Sequence, residues 1–147
     1  MPTASKLVGA LALALTAGVA AWIYAAAEIN PKPLGFWFVA TNMGVGFFVG
    51  WFGIGRRPGS DVVSAMGLGL RGLVFLIIAS GMTFAAFTIY DEVDRNKYRD
   101  PMELPIAWIQ IAIDNVRSAA TQDIIIALLV GGILTGLVTY WADRRWS

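Results

Sequence analysis

The sequence predicts an all-α fold: an integral membrane four-helix bundle with one additional amphipathic interfacial helix between the third and fourth spans. Four apolar stretches, about residues 7–27, 34–55, 62–90 and 124–141, are each long enough to cross a hydrocarbon layer as a helix. The composition agrees, since 57% hydrophobic and 14% charged residues depart in opposite directions from ordinary soluble domains. A two-faced segment at about residues 102–121 supplies the fifth helix. These elements use up most of the 147 residues, so the chain reads as a single transmembrane domain, 1–147.

The first stretch also resembles a secretory signal, with Lys6 before the apolar run and Ala25-Ala26-Ala27 after it. Its length, and Trp22 and Tyr24 near its end, favour a retained anchor, because such aromatics settle at the membrane interface. Pro31 and Pro33 then force a tight turn into the second stretch, which closes on Gly55-Arg56-Arg57-Pro58-Gly59. Asp61 is placed to cap the third helix. That helix exceeds one bilayer thickness. Counting from Arg71 to Tyr90 gives a span of ordinary length, with the first two turns projecting.

A charged link from Asp91 to Asp100 separates the third stretch from the amphipathic segment. There Ile106, Ile109, Ile113, Val116 and Ala120 recur at helical spacing, with Gln110, Asp114, Arg117 and Thr121 on another side. Asp100-Pro101-Met102-Glu103 looks like a helix start, although Pro105 would then lie inside, which moves the expected start toward Leu104. With Trp108 on its flank, this helix is expected at the interface or against the bundle ends, as a lid or a partner-docking element.

The chain contains no histidine and no cysteine. The usual ligands for haem, zinc, copper and iron–sulfur clusters are therefore missing, as are the commonest nucleophile–base pairs. No catalytic residue, cofactor or metal is expected, and the reading is non-enzymatic. A net charge of +1 without a basic stripe argues against nucleic acid as a partner. The lipid bilayer is the expected surrounding, with a larger membrane complex or a homo-oligomer as further partners. Lys6, Arg56, Arg57, Arg71, Arg144 and Arg145 fall on one side of a four-span topology, and Lys32, Arg95, Lys97, Arg99 and Arg117 on the other. The bases of the first group cluster at span ends, which favours cytoplasmic termini.

Small residues at four-residue steps, including Gly46 with Gly50 and Gly132 with Gly136, mark expected helix-packing positions. Asn42 is the most polar side chain near the middle of a span and is the candidate interhelical contact; Ser80 and Thr83 lie nearest the middle of the third. Arg56, Arg57 and Arg71 are candidate anion or lipid-phosphate contacts, because guanidinium groups grip oxyanions through several donors. No carboxylate occupies mid-membrane depth, so the embedded acid that a proton-coupled exporter needs is lacking.

The opening Met1-Pro2-Thr3-Ala4-Ser5-Lys6-Leu7, Gly50-Trp51, Tyr98-Arg99-Asp100-Pro101-Met102, Gly131-Gly132-Ile133-Leu134-Thr135-Gly136 and Arg144-Arg145-Trp146 together resemble the TrgA family. Its members are small bacterial inner-membrane proteins associated with tellurite resistance. The resemblance implies a multi-pass inner-membrane protein with an indirect role in tellurite, oxyanion or envelope stress, since the chain has no thiol to reduce tellurite. An accessory or scaffold protein is the leading expectation. A partner-driven oxyanion path lined by Arg71 and Asn42, and an accessory subunit of a larger complex, are the alternatives.

Overall fold

The computed structural model describes residues 2–27, 35–54 and 59–146, with side chains from residue 4 onward. Five α-helices succeed one another: α1 Pro2–Ala27, α2 Phe36–Val49, α3 Val62–Asp94, α4 Glu103–Ala119 and α5 Gln122–Trp146. A π-helical segment, Gly50–Ile54, closes α2. Among the described residues there is no strand, and four helices are long and apolar enough to cross a membrane. The expected Pro31–Pro33 turn and the Arg56-Arg57 pair lie outside the described residues.

Helix α1 is central, packed on α2 along one side and on α5 along another, and α5 in turn packs on α3. Small residues set these approaches. A Cβ at Gly46 would lie 2.7 Å from the Leu13 carbonyl oxygen and one at Gly50 would lie 2.5 Å from that of Gly9. At the α3–α5 crossing, Gly69 meets the Gly132 carbonyl and Gly136 meets that of Ala65. Lipid supplies no hydrophobic drive between helices, so close backbone approach and dispersion hold such a bundle together.

At this crossing Ala65 and Gly69, in the first turns of α3, are buried against α5, and α3 runs on well beyond it. There Phe84 packs on Phe38, which packs on Tyr24 near the end of α1, and α3 continues to Asp94.

The π-helical turn has a packing consequence. Widening the helix by a residue rotates the positions C-terminal to it, and Ile54 arrives fully buried against Gly72 and Leu13. Leu13, Ala17, Ile54, Leu73 and Leu76 form the core. Three buried threonines satisfy their hydroxyls locally: Thr16, Thr135 and Thr139 each donate to the carbonyl four residues earlier. The Thr16 and Thr135 hydroxyls also meet across α1 and α5 at 3.3 Å.

Helix ends obey recognisable chemistry. Asp61 stands at the start of α3 with an extended backbone, and its carboxylate accepts from the Ser64 and Ser60 hydroxyls. The Ser64 contact is the main reason the carboxyl lies below the usual range. Helix α3 ends where Asn96 takes φ 55°, with Asn96 N–H on the Val93 carbonyl and Lys97 N–H on that of Glu92. This is a Schellman cap with asparagine in the left-handed position usually held by glycine. Lys97 pairs with Glu92 at 2.5 Å, and Tyr98 donates to the same carboxylate, which holds its phenol above its ordinary range.

Helix α4 begins at Glu103, so Pro105 occupies the first turn, where a missing N–H leaves no intrahelical bond unmade. Asp100 accepts from Met102 N–H at 3.0 Å just ahead of it. Only Ala120 and Thr121 separate α4 from α5.

Candidate functional site

Around Phe84 and Tyr24 all five helices contribute to the wall of a cavity of about 460 Å³, within the size range of small-molecule sites. Its lining is mostly apolar, with Leu76, Phe84 and Leu128 prominent. Polar side chains enter from four helices: Tyr24 from α1, Asn42 from α2, Ser80, Thr88 and Asp91 from α3, and Asn115 and Ser118 from α4.

The Asn42 amide is buried and donates to the Phe38 carbonyl of its own helix at 3.0 Å. This hydrogen bond stays within α2. Ser80 Oγ and Asn115 Nδ2 are sealed from solvent and have no partner among the described residues. Each such group costs about 1–3 kcal/mol unless a water or guest satisfies it. Asp91 is the one charged lining residue among those described, so this lining suits a neutral guest better than an anion.

Asn115 carries no weight in the sequence pattern read segment by segment. Its signal is phase: it lies three residues after Ala112 and four before Ala119, on the α4 side that meets α3.

Helix α4 forms a wall without being deeply held, and none of its residues is fully buried. Gly81 of α3 lets Ala112 and Val116 approach, and Trp108 Nε1 donates to the Met82 carbonyl at 2.9 Å. Ile106, Ile109 and Ile113 are exposed; they point sideways rather than into the bundle. Trp108→Phe should loosen this wall by about 1 kcal/mol, the net worth of one hydrogen bond. Amide exchange is expected to quicken about fivefold within residues 103–119, with the other helices unchanged.

Arg71 lies elsewhere. It is exposed on the outer side of α3, does not line the cavity, and has its guanidinium carbon 5.7 Å from the Phe75 ring centroid. The structure therefore does not bring Arg71 and Asn42 onto one path. Arg56 and Arg57 fall outside the described residues. Gly46, Gly50, Gly132 and Gly136 sit at the crossings of α2 with α1 and of α5 with α3. Near the end of α5, Arg144 lies over Tyr140 and Arg145 over Trp141, at 5.2 and 5.0 Å. No group of three or more candidate metal-binding side chains occurs among the described residues.

Compared with protein-family models, curated proteins and solved structures, the chain matches none.

Proposed function

We propose that this is a multi-pass bacterial inner-membrane protein that performs no reaction of its own and acts as an accessory or scaffold subunit of a larger membrane complex. What carries the reading is the inverted distribution of its side chains. Leu7, Leu11, Leu15, Val19 and Trp22 all face outward from α1, while Ala10, Ala14, Ala17 and Ala21 face inward. Many small and hydroxyl-bearing residues join a few large ones such as Leu13 in the interior, while most large apolar side chains lie on the perimeter, as suits a bundle in lipid. Helix α4 adds an outward isoleucine stripe beside Gln110, Asp114 and Arg117, the amphipathic form that beds at an interface or against a partner.

The resemblance to TrgA adds the expected phenotype, indirect support of tellurite or envelope-stress resistance. It rests on the short motifs alone. Isolation of the tagged protein from native membranes in mild detergent should yield it within an assembly of defined stoichiometry, and deletion should lower tellurite tolerance. Recovery only as a lone chain would refute the accessory role, and unchanged tolerance would refute the phenotype. For cytoplasmic termini, replacing Arg56 and Arg57 together with Asn should mix the orientation in reporter fusions. An unaltered pattern would count against that assignment.

The oxyanion path is weaker on geometry, because Asn42 and Arg71 do not share a wall and the only charge among the described lining residues is negative.

A further inference from the structure

Arg71 presents a problem that the chain does not solve by itself. It stands nine positions after Val62, the first residue of α3, about 14 Å along the axis. Neighbouring Gly69 packs on Gly132, which precedes the interfacial Trp141 by nine residues on the antiparallel α5. With a hydrocarbon core about 30 Å thick, both measures place Arg71 well inside it. Snorkelling covers only part of that distance, and the guanidinium lies beside Phe75, one turn further into the span.

Among the described residues no carboxylate is paired with Arg71. The ion pair of Lys97 with Glu92 lies at the far end of α3. The acidic residues of the long helices sit at their ends, as Asp91, Glu92, Asp94, Asp123 and Asp143. A second copy of the chain would therefore bring another arginine, not a carboxylate, to the same depth.

Around Arg71 the outer side of α3 is a continuous seam. Ser64, Gly67, Arg71, Val74, Phe75 and Ile78 recur at three- and four-residue steps and are all exposed. Gly67 has open space where a side chain would stand, so another helix can approach closely there.

The geometry points to this seam as the docking surface for a transmembrane helix of a different protein, one carrying an aspartate or glutamate at the depth of Arg71. Charge complementarity selects that occupant. An acid in the partner neutralises the guanidinium where lipid cannot, and the small residues let the two helices close on each other. The inference rests on the accessory-subunit reading and says which surface of the chain the complex uses.

The test uses the full chain in native membranes, with photo-reactive p-benzoylphenylalanine at Ile78 and mass-spectrometric mapping of the adduct. The expected adduct falls in a membrane span of another protein that contains an aspartate or glutamate. Arg71→Leu should lower its yield roughly tenfold or more, given what one intramembrane charge costs. Arg71→Lys should retain it. Because Arg71→Leu removes a lipid-facing charge, that variant should insert and elute as well as the unaltered chain, with no lower thermal midpoint in detergent. Adducts confined to lipid or to a second copy would overturn the proposal. So would a mapped span without a carboxylate, a yield indifferent to Arg71→Leu, or a midpoint lowered by it. A complex that still co-purifies while the seam adduct is unaffected by Arg71→Leu keeps the accessory reading and removes this surface from it.

Discussion

Gly136→Val should separate α3 from α5 and lower the stability of the bundle by about 3 kcal/mol or more. Inserted atoms usually cost about 1–3 kcal/mol when flexible side chains give way. Here the obstruction is the Ala65 carbonyl, part of a helical backbone that moves only as a unit. The damage should extend to Gly69, which lies against Gly132 one turn away on the same crossing. Helix packing in detergent, tracked by thermal unfolding of the far-ultraviolet signal, measures the loss. Gly44→Ala is the matched control, since nothing lies within 4 Å of its added carbon. It should be neutral or stabilising by up to about 1 kcal/mol, the helix preference of alanine over glycine. Equal losses at Gly136 and Gly44 would show that backbone proximity at this crossing does not hold the bundle.

Leu134→Arg should strongly reduce the amount of membrane-integrated protein. Leu134 lies near the middle of α5 with 54% of its surface exposed, so the new charge would face hydrocarbon. Insertion scales put the penalty at roughly 2.5–3.5 kcal/mol at a helix centre. The sign distinguishes solvents. In a water-soluble bundle an exposed leucine-to-arginine change is close to neutral, within about 0.5 kcal/mol. Carbonate extraction of membranes, comparing Leu134→Arg with Leu134→Ala, measures the difference. Full extraction resistance of the arginine variant would contradict a lipid-facing α5.

The long elements are legible in the sequence because hydrophobic run length and helical period survive without tertiary context. The four stretches correspond to α1, α2, α3 and α5, and the amphipathic segment to α4, with ends shifted by only a few residues. Less legible is how the helices sit along one another. The length of α3 alone puts its surplus before Arg71. The partners of Ala65 and Gly69 are on α5, about seventy residues later, so α3 by itself does not reveal that its first turns are buried. The end of α3 does leave a local mark, because Asn96 in a charged run is a fair candidate for a left-handed cap. The cavity is illegible for a further reason. Asn42, Ser80 and Asn115 come from three helices, and no spacing within one chain segment reports that they line one cavity.

The contact between Thr16 and Thr135 joins positions 119 apart in the chain. Because α1 lies against α5 for much of its length, that side of α1 is covered only after α5, far later in the chain, has been made. The nascent protein therefore carries its central helix uncovered on that side until α5 is made. Faults in biogenesis should be decided there: a ribosome that stalls before α5 releases an open bundle for membrane proteases, however sound the hairpin of α1 and α2 already is.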